Sequence, residues 1–498
     1  MNAWLPVLIP ATSLIAALII FFLDEENRRL RTFVNLTTAS LKVLLVVFLF
    51  VGVSRGEDYR FTLSLFFGFD IVLHADALSL LFVSLSALLW LVTTIYAIGY
   101  LDVSHGHDRS RFFGFFSLCV SATTAIALAG NLFTFLFFYE LLTITTYPLV
   151  AHRGGPDAIK AGRVYLLYTL GGGALLLVAI VWLKSIVGAA EFVTGGMLIP
   201  FVASHQTELT IIFTMLIIGF GVKAALVPLH GWLPVAMVAP APVSALLHAV
   251  AVVKAGAFGI MRTVYDVYGA GVCTELGVRP WLAAVAAFTI IYGSVRALRQ
   301  DDFKRRLAYS TVSQVSYIIL GAAIIGPVAT IGGLVHIFHQ GIMKITMFFV
   351  AGNLAEELHI KKVSQMNGIG RRMPITMASF TIAACAMIGI PPMAGFISKW
   401  NLGLGAIVAE QEWVVAVLLG STMLNAAYFL PIVYRAWFKE PDVEFDPPQN
   451  GRSLEIHPYL LIPPLFTALC VLAAGIFAGM PFSPLEWAKL IALREYGL

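Results

Sequence analysis

Long apolar runs separated by short polar loops fill this chain from end to end. About 20 consecutive apolar residues cover roughly 30 Å of hydrocarbon as a helix. Such runs occur at 4–23, 33–53, 76–101, 112–129, 131–151, 161–187, 208–232, 239–263, 280–297, 308–326, 328–355, 372–399, 403–437 and 457–480. The pattern predicts an all-α integral membrane protein of about 14 transmembrane helices, with no soluble domain inserted. The longest polar stretch, 438–457, carries Pro441, Pro447 and Pro448 and is predicted to be a loop. Two spans are interrupted. In the seventh, Lys223 is followed by Pro228 and Pro234; in the twelfth, Gly389, Pro391, Pro392 and Gly395 precede Lys399. Proline removes a backbone donor, and lipid cannot replace it. Broken helices at matching places in two halves point to a transport site built from inverted repeats. Spans 4–8 and 9–13 are therefore expected to be two inverted five-helix repeats. The divisions are 1–111, 112–265, 279–437 and 457–498. Ordinary proline kinks are the alternative, and a lysine beside each break argues against it.

Composition agrees with the pattern. Of 498 residues, 59% are hydrophobic and 12% charged, and the mean hydropathy is +0.87. A soluble chain carries about twice that charged fraction. Cys119, Cys273, Cys385 and Cys470 stand far apart with no C-x-x-C pair, which argues against an iron–sulfur or zinc site and a disulfide framework. No nucleotide-binding fingerprint is present. The expectation is a chain with no metal, no cofactor and no ATPase engine of its own. The first apolar run lacks a basic leader and is expected to be a retained helix.

The net charge of +4 is ordinary, but its distribution is not. Basic clusters follow odd-numbered spans: Arg28, Arg29 and Arg31; Arg153 and Lys160; Lys304, Arg305 and Arg306; Lys361, Lys362, Arg371 and Arg372. The positive-inside rule places these loops in the cytoplasm and both termini on the outer face. Arg262, Arg296 and the Lys304–Arg306 run lie near span ends and are expected to set topology.

Ionisable residues well inside the spans carry the candidate chemistry. A charge at mid-bilayer costs about 2.5–3.5 kcal/mol on insertion scales. Yet Glu140 lies in the fifth span, Lys223 in the seventh and His248 and Lys254 in the eighth. His336, His339 and Lys344 lie in the eleventh, and Lys399 in the twelfth. Groups of this kind must pair or meet water. Burial disfavours the charged form and a neighbouring opposite charge favours it, so buried lysines beside an adjustable carboxylate can be loaded and unloaded with protons. Imidazole relays between them. His336 and Lys344 are roughly 80° apart around an ideal helix and about 12 Å along it, whereas His339 and Lys344 are about 140° apart. His336 is the expected relay; His339 is expected to be a helix–helix hydrogen bonder.

At these residues the chain resembles the antiporter-like subunits shared by respiratory complex I, Mrp-type Na+/H+ antiporters (D subunit) and membrane-bound hydrogenases. The similarity runs from about residue 70 to 440. It rests on FLFFYELLTITTYPLV (135–150), VKAALVPLHGWLP (222–234), WLPVAMVAPAPVSALLHAVAVVKAG (232–256), DDFKRRLAYSTVSQ (301–314), HIFHQGIMKITMFFVAGNL (336–354) and GIPPMAGFISKW (389–400). The resemblance implies a proton gate at Glu140 and Lys223, a relay through His248, Lys254, His336 and Lys344 to Lys399, and helix breaks at Pro228, Pro391 and Pro392. It also implies other membrane subunits as partners and the cell membrane of a prokaryote as location. Two departures stand out. Gln340 occupies a position where the family often has a second His, with His339 beside it. Val235 and Met237 replace an Asp and a His common in complex I, which moves the resemblance toward Mrp- and hydrogenase-type members, as does a lysine at 399.

The expected function is thus proton translocation, or cation/proton antiport carrying H+ and Na+, by one membrane subunit of a larger complex. An oxidoreductase complex and an antiporter are both open as its setting. A self-sufficient secondary transporter of a small solute is the alternative, and a scaffold that anchors a redox arm is a third reading.

Overall fold

The computed structural model describes residues 4–65, 69–104, 108–188, 190–324, 326–442, 445 and 455–498; Pro447 and Pro448 of the expected loop lie outside them. Among the described residues, 11 helices are long and apolar enough to cross a membrane. These are α2 (Arg28–Ser54), α3 (Ala77–Val103), α4 (Arg109–Ala127), α5 (Leu132–Val150), α6 (Gly155–Val187), α7 (Val202–Ala224, or Ile199–Ala224 with its leading turn), α8 (Ala241–Tyr268), α9 (Arg279–Leu298), α11 (Pro327–Glu357), α14 (Trp413–Phe438) and α15 (Pro458–Ile476). The other predicted spans fall on shorter or more polar helices: α1 (Leu5–Phe21), α10 (Phe303–Ala323), α12 (Pro374–Ile388) and α13 (Ala394–Val408). The chain is a multi-pass membrane protein.

Local chemistry explains the helix ends. Asp76, Asn131 and Asp302 cap α3, α5 and α10 by accepting from the backbone N–H of Ser79, Thr134 and Arg305, which satisfies donors that a first helical turn leaves free. Pro327, Pro374 and Pro458 open α11, α12 and α15, where a missing N–H costs nothing. The seventh span does break, after Ala224: Ala225 is left-handed (φ 58°) and the chain turns through Pro228. The twelfth breaks between Ile388 and Ala394, where Gly389 takes φ 96°.

Some boundaries differ from expectation. The twelfth span does not stop at 399; its second half, α13, continues to Val408, and the thirteenth begins at Trp413 rather than 403. The proline-rich break takes up residues that an unbroken helix would have used for rise. Two elements were not foreseen. An antiparallel hairpin pairs β1 (Arg60–Ser64) with β2 (Asp70–His74), Arg60 opposite His74, and a short amphipathic helix, α16 (Pro484–Glu495), follows α15.

Burial orders the helices. The apolar window of α8 is 100% buried and that of α11 94%, against 33% for α2 and α14. Thus α8 and α11 form the centre, and the outer helices turn Phe48, Leu167 and Met423 outward, as a lipid-facing surface requires. The loops after the third, fifth, seventh, ninth and eleventh spans gather on one face. There Tyr100, Arg153, Lys304 and Lys361 line a cavity of about 200 Å³, next to one of about 700 Å³ lined by Arg111, His152 and Glu356.

Candidate functional site

The buried ionisable residues sit on α5, α7, α8, α11 and α13, and the folding of these helices brings most of them into one series. On α7, the last turn before the break carries Lys223, which is fully buried. Its ammonium donates to the Tyr139 carbonyl of α5 and lies 3.3 Å from the centre of the Tyr139 ring. Glu140 is the next residue. It is half-buried, and its carboxylate packs against Gly173 of α6, where any Cβ would collide with it. Glu140 and Lys223 are close enough to feel each other's charge, but the lysine's hydrogen bond goes to the backbone one residue away.

From Lys223 the series crosses to α8. Gly256 allows this crossing: a Cβ there would strike the backbone of Phe220, Lys223 and Ala224. Two residues earlier, Lys254 donates to the Ile337 carbonyl of α11 at 2.7 Å, beside His336. The His336 Nδ1 shares a hydrogen bond of 2.8 Å with Ser398 Oγ on α13. The following residue is Lys399, whose ammonium donates to the carbonyls of Met387 at 3.0 Å and Ile388 at 2.9 Å and to Thr422 Oγ1 at 3.3 Å. Those two carbonyls belong to the C-terminus of the half-helix α12, the negative end of its dipole. The break at Gly389–Met393 therefore creates the seat for Lys399. Three of the four steps thus run through the immediate sequence neighbour of a member, Tyr139 beside Glu140, Ile337 beside His336 and Ser398 beside Lys399, while the step from Lys223 to Lys254 is bridged by the close packing of Gly256 on α7.

Lys344 and His248 stand to one side. Lys344 donates to Ser310 Oγ at 2.7 Å and to the Leu307 carbonyl at 3.3 Å, both on α10; Ser310 in turn accepts from Tyr428 at 3.0 Å. The hydrogen bonds of Lys344 run to α10, not to Ser398 or Lys399. The cause is helical phase: His336 faces α13 and Lys344 faces α10. His248 lies where α8 widens to a π-helical turn over Leu246–Val250, a distortion frequent at functional sites. Its ring stacks on Phe348, centroids 4.5 Å apart, one turn from Lys344.

His339 lies against the Ala394 backbone at the start of α13; among the described residues neither its ring nitrogens nor the amide atoms of Gln340 make a well-formed hydrogen bond. The small residue Gly341 lets α11 approach Leu85 and the Ala249 carbonyl closely. His248, Gln314, Tyr317 Oη and His336 Nε2 add further buried polar atoms with no protein partner, so the unpaired groups concentrate around the series.

Arg262, expected to set topology, is also a buried structural junction. It is 0% exposed, bonds Asp76 at 2.6 and 2.9 Å, Asp266 at 2.9 Å and Ser79 at 2.7 Å, and joins α3 to α8. Asp266 four residues on was the sequence signal, since residues so spaced share a helix face. Beside this cluster, Glu495 of α16 accepts from the Gly195 N–H at 3.1 Å. Burial, reinforced by the negative charge of Asp266, pushes its carboxyl up to about 8 although the Gly195 bond and Arg262 oppose this. Ser398, Ser310 and Tyr139, which connect the lysines and histidines, carry no charge and left no trace in the hydropathy pattern.

Residues 129–425 match the model of the family described as NADH:quinone oxidoreductase/Mrp antiporter, TM. The chain is 34% identical over 437 residues to NADH-quinone oxidoreductase subunit N of Desulforudis audaxviator, covering 85% of each chain. It is 27% identical to the D subunit of the Na(+)/H(+) antiporter of Bacillus subtilis, over 90% of this chain and 89% of that one. A chain in the structure of the Mrp complex from Dietzia sp. DQ12-45-1b superposes with a TM-score of 0.85, covering 99% of this chain and 97% of that chain at 22% identity, which shows a shared fold.

Proposed function

This chain belongs to the NADH:quinone oxidoreductase/Mrp antiporter transmembrane family, and on that premise we propose that it is a proton-translocating, or cation/proton antiporting, subunit of a multisubunit membrane complex. The observation that carries the reading is the series Glu140, Lys223, Lys254, His336, Lys399, laid across the buried centre of the molecule. A structural role would favour carboxylate partners for three buried and one half-buried cationic or imidazole groups; here the lysines donate to carbonyls and hydroxyls, which leave them free to release a proton. In this reading Glu140 and Lys223 form the gate. Loss of a proton from Lys223 alters the field at Lys254, and the shift passes through His336 to Lys399. His248 and Lys344 form a branch toward the cavities on the basic face, and the buried polar atoms without protein partners line a path that water completes.

The two interrupted helices, each associated with a lysine, support inverted repeats at 112–265 and 279–437. The basic face is taken as cytoplasmic, with both termini on the outer side of a prokaryotic cell membrane. Partners are other membrane subunits, and the chain itself is taken to carry no cofactor or metal. Its likeness to a quinone oxidoreductase subunit is no weaker than to an antiporter subunit, so H+ is the common cargo and Na+ the additional one in an antiporter setting.

The test is Lys223→Ala in the assembled complex, with ΔpH formation measured in inverted membrane vesicles. The expected outcome is full assembly without proton translocation; normal ΔpH would overturn the proposal. Solute transport by the purified single chain would favour the secondary transporter instead.

A further inference from the structure

Helix α2 carries Lys42 inside an apolar run, outside the segment matched by the family model and outside the series above. It is 0% exposed. Its ammonium sits where four helices meet: it donates to Ser13 Oγ on α1 at 2.6 Å and to Thr124 Oγ1 on α4 at 3.2 Å, and lies 4.7 Å from the centre of the Trp90 ring on α3. Three N–H bonds therefore meet two hydroxyl oxygens and an aromatic face.

A carboxylate in this place would hold the lysine charged; hydroxyls do not. Ser13 Oγ gives its own proton to the Pro10 carbonyl at 3.2 Å and Thr124 Oγ1 to that of Val120 at 2.9 Å, so both lone pairs face the ammonium. Rotation about the C–O bond turns either hydroxyl into a donor to the free amine. The pocket thus receives both protonation states on a fixed backbone. The facing helices bring no counter-charge. Helix α1 has no titratable residue, α4 has Arg109, Arg111 and Cys119, and α3 has Tyr96, Tyr100 and Asp102 toward its far end; none forms an ion pair with Lys42.

A second observation points the same way. Ser86 Oγ, Trp90 Nε1 and Thr94 Oγ1 are buried without a protein partner, and their spacing of four puts them on one stripe of α3. Such atoms are costly unless they meet a mobile polar species. Helix α4 then leads from Lys42 to the gate. Next to Thr124, Thr123 donates to the Cys119 carbonyl at 2.8 Å, and the Cys119 thiol lies 3.4 Å from the hydroxyls of Thr145 and Thr146 on α5, the helix of Glu140.

We propose that Lys42 is a further proton-binding site, which extends the lysine–histidine series beyond Glu140 and Lys223 into the N-terminal helices. The ligand is the proton alone: an N–H bond forms when the amine takes it and breaks when the ammonium passes it on, and no redox partner is involved. The role in transport rests on the proposed translocation; the protonation itself does not.

Tryptophan emission of the purified complex, titrated between about pH 5 and 10, tests the site directly. Subtracting the Trp90→Phe complex isolates Trp90, whose indole faces the ammonium. The wild-type difference signal is expected to titrate, and to stay flat in Lys42→Met, which has no charge, and in Lys42→Arg, which has a fixed one. In vesicles, both substitutions are expected to alter the pH profile of proton uptake, although Arg keeps the cation and most of the packing. A flat wild-type signal, or an unchanged pH profile in both variants, overturns the proposal. If Lys42→Met does not assemble, Lys42→Arg decides by the same readouts. A titrating Trp90 in a complex whose Lys223→Ala variant pumps normally would overturn the Glu140–Lys223 gate and leave the Lys42 site standing.

Discussion

Ser398→Ala is the sharpest test of the path itself, because Ser398 is uncharged and its importance follows only from the fold. Ser398 and His336 are both 0% exposed. The 2.8 Å bond between Ser398 Oγ and His336 Nδ1 is the side-chain hydrogen bond that ties the ring to α13. Removing the hydroxyl leaves a buried polar group unsatisfied at a cost of about 1–3 kcal/mol, with little change in volume. If that cost falls on the orientation in which His336 passes a proton toward Lys399, the rate drops by about five- to 150-fold. Initial rates of proton uptake in vesicles, normalised to assembled complex, measure it. Ser398 also donates to the Gly395 carbonyl at 3.2 Å in the first turn of α13, so local loosening needs a control. Asn401→Ala supplies one: it removes a 2.8 Å bond to the Ile397 carbonyl in the same helix without touching His336. A wild-type rate in Ser398→Ala, or an equal drop in Asn401→Ala, would refute the reasoning.

Gly173→Leu is expected to displace the Glu140 carboxylate and abolish uptake with assembly intact, whereas Gly171→Leu, where a Cβ meets nothing within 4 Å, leaves uptake unchanged; vesicle assays of both decide. Arg262→Ala leaves the buried Asp266 and the half-buried Asp76 without their partner and is expected to destabilise the fold by about 3–5 kcal/mol, seen as loss of monodisperse protein after solubilisation, with part of it recovered in Arg262→Met combined with Asp266→Asn. Glu495 holds its proton more tightly when folded, about 8 against an ordinary 4.5. The docked state therefore binds more protons between these values, and docking of α16 weakens as pH rises from about 4.5 to 8, then levels off. Protection factors of residues 484–495, taken against the intrinsic exchange rate at each pH, are expected to fall over that window, and Glu495→Gln is expected to remove that fall.

Several features of the protein were legible in one dimension because they follow from solvation. Apolar runs declare membrane helices, since nothing else satisfies backbone groups in lipid. Charged residues inside those runs declare a site, since their insertion is costly. The breaks after Lys223 and before Lys399 were visible because glycine and proline act on the backbone locally. Lys42 interrupts the run 33–53 by the same criterion that marks Lys223, so its signal is present in the sequence as well. Contact was not legible. That Lys344 turns to Ser310 while His336 turns to Ser398 depends on the rotation of α11 against α10 and α13, which is set by side-chain packing along whole helices. That Arg262 is a buried junction depends on Asp76, which lies 186 positions away in the chain. The sequence alone determined which groups are expensive to bury. Only the tertiary structure decided which neutral carbonyls and hydroxyls receive them, because helix packing, not hydropathy, selects partners.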